Sequence, residues 1–182
     1  MLFNRWLYIL NHHALTMTGD LDTRFMQYLK INRELRGVHN QAFNDGSLLD
    51  YVLVDEDPTP EGIIQDYQEG RPIRIYTGFS GGSIWGTESN NYLFRALHDS
   101  FHLKGGYPFT LEGEIQVANS LRAYADSHGF KLFGWLQYLD TVLPAIYYEI
   151  NGEFPSQEYI KNQIREYMSN LKIKEFMKWM EE

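Results

Sequence analysis

From Leu15 to about Leu35, apolar side chains at Leu21, Phe25, Tyr28, Leu29 and Leu35 recur near the helical period. That spacing predicts an amphipathic helix, with Gly37 as its stop. Tyr51-Val52-Leu53-Val54 is a short β-rich run, and Arg71 to Thr77 alternates polar with apolar residues. Two strands around a short helix at Glu61–Gln68 follow from this pattern. Gly78 to Ser83 is a Gly- and Ser-rich connection. Without a GK[ST] ending it reads as a surface loop rather than a phosphate cradle.

Beyond that loop the pattern is helical. Thr87 or Ser89 caps a helix running to about Leu103, and Lys104-Gly105-Gly106-Tyr107-Pro108 breaks it. Thr110 caps the next, with Glu112 and Glu114 in its first turns and Gly129 at its end. Phe130 to Glu149 forms a third, with Pro144 as a kink and Asn151-Gly152 as its close. Ser156–Met168 and Lys172–Met180 complete the series, and no internal repeat interrupts it. The expected fold is a single α+β domain over residues 1–182, predominantly helical. A small β segment of two or a few strands packs on the helical bundle.

Composition narrows the function. Aromatic residues reach 15%, with 13 Tyr and 11 Phe, which suits a core of large rings. The net charge of −8, from 24 acidic and 16 basic residues, disfavours nucleic-acid binding, which draws on clustered Lys and Arg. There is no cysteine, so disulfides, thiolate metal sites and cysteine nucleophiles are excluded. The first ten residues, interrupted by Asn4 and Arg5, do not read as a signal peptide, and no run approaches the roughly 18 apolar residues of a membrane span. A soluble cytoplasmic protein is expected.

The chemistry concentrates in His98-Asp99-Ser100-Phe101-His102, followed twelve residues later by Glu114. On a helix, His98 and His102 project from one face with Asp99 turned about 100° from His98. Leu93, Phe94, Leu97 and Phe101 form an apolar stripe, and the histidines lie along its flank. If this helix and the next pack as an antiparallel hairpin, Glu114 joins His98 and His102 near the corner, and His98 looks across at Ala118. The three form a two-His, one-carboxylate set for a divalent ion, zinc or iron. Asp99 and Glu149 are the candidate catalytic groups, with Glu153 one turn beyond Glu149. The alternative for Asp99 is a surface ion pair with Arg95. His12, His13, His39 and His128 read as ordinary polar residues.

The stretch Phe94-Arg95-Ala96-Leu97-His98-Asp99 to His102, with Tyr107 to Glu114 and Ala118, resembles a poorly characterised HDxxH…GE domain of bacteriophage proteins, including large polyvalent ones. Glu149-Ile150-Asn151-Gly152-Glu153 resembles that domain's later Glu-x-x-Gly-Gln/Glu segment, and the likeness covers about a third of the chain. Many members carry one more residue between the two histidines. The resemblance implies that His98, His102, Glu114 and Glu149 share one metal site, in a phage protein acting in the host bacterial cytoplasm.

Three classes of function fit these residues, the first a metal-dependent enzyme. A metal-dependent hydrolase would act on a small-molecule or protein substrate, and a non-haem iron oxygenase would use the same ligand set. Within the hydrolases, HDxxH differs from the zinc-protease HExxH helix by its shorter carboxylate. An HD-type phosphohydrolase would build on adjacent His98-Asp99, with His39 and either Asp126 or Asp140 as further ligands. A non-catalytic acidic phage protein that binds and inhibits a host factor would use its surface charge instead.

Overall fold

The computed structural model describes residues 21–170, with side chains from 29 to 167. His12, His13 and the expected Lys172–Met180 helix lie outside them. The described chain is α+β and predominantly helical. Its elements are α1 (Leu21–Asn44), β1 (Tyr51–Val54), α2 (Pro60–Gln68), β2 (Ile73–Tyr76), α3 (Glu88–Gly105), α4 (Leu111–Ser127), α5 (Lys131–Asn151) and α6 (Gln157–Asn170). No described helix is long and apolar enough to cross a membrane.

The first helix runs past the expected stop at Gly37 to Asn44. The Phe130 ring explains why glycine stands there: a Cβ on Gly37 would lie 2.4 Å from Phe130 Cε1. Gly37 is therefore a seat for a ring, not a terminator. The buried stripe of α1 is Ile31, Leu35, Val38 and Ala42, whereas Leu29, expected on it, is 44% exposed. The helix ends where Ser47 N–H donates to Asp45 Oδ1 at 2.9 Å, and Tyr124 Oη donates to Asp45 Oδ2 at 2.6 Å.

The two strands pair in parallel, Tyr51 opposite Ile73 through Val54 opposite Tyr76. A parallel pair needs a crossover, and α2 supplies it. Thr59 caps α2 through its side chain, with Pro60 in the first turn. In the last turn of α2, buried Asp66 receives Arg71 at 2.7 Å and Arg74 at 2.6 Å, holding the return into β2. Ile73 and Ile75 of β2 then pack with Ile63, Ala96 and Leu103, so the sheet leans on α3.

The main core joins α1, α3, α4, α5 and α6 around Trp85, Phe94, Leu97, Leu121, Phe133, Leu136 and Ile164. The close pairing of α4 with α5 rests on Gly134, where a Cβ would meet Asp126 Oδ1 at 3.0 Å and the Arg122 carbonyl at 3.4 Å. Helix α5 passes through Pro144 without ending, and Gly152 closes it in the left-handed region. Its N-terminus lacks a local side-chain cap. Glu34, almost wholly buried on α1, does that work from a distance: its Oε2 accepts the Phe133 N–H at 2.9 Å. Replacing Glu34 with Ala should cost about 1–2 kcal/mol in a urea unfolding titration, the magnitude of a lost helix cap. Glu34→Gln, which keeps an acceptor oxygen, should lose less.

Candidate metal centre

The motif helix α3 begins at Thr87, whose side chain accepts from Asn90 N–H, so Thr87 rather than Ser89 is the cap. It ends at Gly106, φ 65°, where the Tyr107 N–H donates back to the His102 carbonyl at 2.9 Å. Thr110 then caps α4 by accepting the Gly113 N–H. Gly113 is required at this corner, because a Cβ there would stand 1.7 Å from the Pro108 carbonyl oxygen. The next residue, Glu114, turns back toward α3.

His98, His102 and Glu114 converge, with one ligand atom from each within 4.8 Å of the others. His98 Nε2 lies 3.2 Å from Glu114 Oε2 and His102 Nε2 lies 3.3 Å from Glu114 Oε1, so each imidazole faces its own carboxylate oxygen. The His102 side chain is fully buried, while His98 is 15% and Glu114 21% exposed. Phe109 stacks on the His102 ring at 4.4 Å, and Phe94 lies 5.9 Å from the His98 ring. The trio has dry walls and one open side.

Tautomers sharpen the picture. The Tyr107 carbonyl lies 3.1 Å from His102 Nδ1, and a carbonyl only accepts, so Nδ1 carries the proton. In the neutral ring His102 Nε2 then presents a lone pair, and in the charged ring it carries the second proton. It is buried without a hydrogen bond, although a Glu114 carboxylate oxygen stands beside it. Two acceptors facing each other in a dry site are repulsive, and a proton or a cation between them removes the repulsion. On α5, Thr141 Oγ1 stands 3.5 Å from His98 Nδ1 and likewise leaves Nε2 for Glu114.

Burial pulls the His98 imidazolium down, but the Glu114 carboxylate outweighs it, with help from Asp99 and Asp140, and the net shift is upward. Burial pushes Glu114 up, and the two imidazoles overturn this, leaving it at about 2. Asp99, half-buried one residue after His98, is raised by burial despite both histidines. It makes no ion pair that occupies Arg95. That guanidinium donates instead to the carbonyls of Tyr76 and Gly78, at 2.5 and 2.8 Å, and ties down the loop after β2. The guanidinium thus serves as a backbone clamp rather than in the alternative ion pair with Asp99.

Glu149 is not brought to the trio. It is exposed near the end of α5, eight residues past Thr141, which is about 12 Å along a helix. Glu153 is exposed as well. His39 stands 3.5 Å from Tyr51 Oη, Asp126 lies beside Arg122 at 3.7 Å, and His128 stays exposed, so none of them joins the cluster. Asp140 does lie near: it is buried, accepts from Trp85 Nε1 at 2.8 Å, feels the charge of His98, and is raised to about 6, chiefly by burial. Gln137, Asp140 and Thr141 are polar residues in the buried stretch of an otherwise apolar helix, a signal readable from the chain.

No protein-family model, curated protein or solved structure matches this chain. The chemistry of the site therefore rests on its own geometry.

The pair has a defined pH window. His98, raised above 6.5, stabilises the fold below pH 6.5, and that contribution is lost as pH rises through its raised value. Glu114 stabilises above pH 4.5 and loses its contribution as pH falls toward about 2. The His98–Glu114 attraction is strongest between pH 4.5 and 6.5. In chelator-treated protein, an NMR titration should find His98 ionising above its ordinary value, and Glu114→Gln should move it downward because burial then dominates. An unmoved midpoint would contradict the pairing.

Proposed function

We propose that this chain is a metal-dependent hydrolase of the phage HDxxH…GE type, with a divalent ion, zinc or iron, held by His98, His102 and Glu114. The observation that carries the reading is the buried His102 Nε2, which lacks a hydrogen bond and faces a carboxylate beside a second imidazole. One carboxylate and two neutral imidazoles suit either metal. Such an ion supplies a Lewis acid and a water of lowered pKa.

The chain's own residues do the rest. His102 is held by the Tyr107 carbonyl and Phe109, so it is the fixed ligand of the three. His98 and Glu114 form the accessible side, toward which a substrate comes. Asp99 adjoins them and keeps its proton to a higher pH than an ordinary carboxyl, which suits a group that takes up and returns a proton at its carboxylate oxygen. Action on a small-molecule or protein substrate inside a phage-infected bacterium belongs to the same proposal.

Elemental analysis of protein purified without chelator tests it directly. Near-stoichiometric zinc or iron is expected, lost in a His98→Ala/His102→Ala double variant; a folded wild type that takes up no metal refutes the reading. Against p-nitrophenyl acetate and bis(p-nitrophenyl) phosphate, the loaded protein should show metal-dependent hydrolysis. Asp99→Asn should retain the metal and lower that rate by about 10²-fold or more.

A further inference from the structure

We infer that the Asp140–Thr141 step of α5 is the positioning layer of the metal centre: Thr141 aims His98 through its Nδ1, and the Asp140 carboxylate, anchored by Trp85, adds a buried negative charge behind His98 to those of Glu114 and Asp99. This rests on the metal-binding reading above. It assigns to the middle of α5 the part that the sequence pattern offers to Glu149.

Each histidine has one nitrogen toward Glu114 and the other toward an oxygen on a different element. For His102 that oxygen is the Tyr107 carbonyl, and for His98 it is the Thr141 hydroxyl. A ligand imidazole whose far nitrogen is held this way has its tautomer and ring orientation set. Thr141 itself is buried, so its hydroxyl is not turned to solvent.

Asp140 sits one residue earlier. Of the two carboxylates on α5 it alone is buried, and its one recorded hydrogen bond comes from the indole of Trp85. That indole is wedged between Phe94, at 4.8 Å, and Phe133, at 5.5 Å. A carboxylate in such surroundings is unfavourable unless charge nearby compensates it. The charged groups acting on it are His98 and Arg95, both on α3. A divalent ion held by Glu114 and two neutral imidazoles would carry one net positive charge, and Asp140 on α5, with Asp99 on α3, would offset it. Pro144 adds a local reason for the step to be distinctive, since it cannot donate to the Asp140 carbonyl four residues earlier.

Zinc titration with a competing chromophoric chelator at pH 7.5, and the absorption spectrum of the cobalt-loaded protein, test the assignment. Thr141→Val should weaken zinc roughly 10- to 100-fold, the usual effect of removing such a partner. Thr141→Ser should restore the wild-type affinity. Asp140→Asn keeps an acceptor for Trp85, so its melting curve should match the wild type, while zinc weakens about tenfold and the cobalt bands shift. Wild-type affinity and spectrum in both Thr141→Val and Asp140→Asn overturn the inference and leave the metal reading standing. A wild type that binds neither ion overturns both.

Discussion

The site depends on a steric constraint, the contact between Gly113 and the Pro108 carbonyl. Only a hydrogen fits in that gap, and the fit sets the depth at which α4 starts against the turn that ends α3. Thr110 caps the same turn of helix, so the direction of Glu114 is settled before its side chain meets anything. Tyr107 works on the same corner from both ends of its peptide unit. Its N–H closes α3 on the His102 carbonyl, and its C=O orients the His102 ring. Helix termination and imidazole orientation are thus one local structure.

Around that corner, burial and pairing oppose each other. Burial opposes the charge of both Glu114 and His98, and pairing overturns it, so that Glu114 is driven down to about 2 while His98 is driven up. The fold concentrates large rings where this opposition is strongest. Phe94, Phe109 and Trp85 exclude water from the side away from solvent, which strengthens every charge interaction in the trio. Phe94 and Trp85 belong to the core that packs α1 and α5, and Phe109 packs on the smaller cluster beneath the sheet, so site and core are not separable.

The legible parts of the chain were the local ones. Caps at Thr87 and Thr110, left-handed Gly106 and Gly152, and the four-residue spacing of His98 and His102 depend on residues within one turn of each other. Convergence of Glu114 followed from hairpin topology. What escaped is long-range: Glu34 caps α5 from ninety-nine residues away, and Phe130 takes the space beside Gly37 so that an apparent stop lies inside a helix. Glu149 illustrates the same limit. Periodicity finds the helix that carries it, but the height at which α5 crosses α3 decides that Asp140 and Thr141, two turns earlier, meet His98 instead. The parallel strand pairing was likewise open, because a short strand pattern does not state its partner's direction.

The unequal exposure of the trio carries a consequence for the exchange kinetics of the proposed ion. His102 is sealed by Phe109 and Tyr107, while His98 and Glu114 border solvent. An ion bound as proposed would be released stepwise from the outside inward, with the carboxylate detaching first and His102 last. Water or a chelating competitor would reach it across the edge formed by Glu114 and His98. Residence time would then be governed by the swing of one glutamate side chain, and not by any opening of the helical hairpin beneath it.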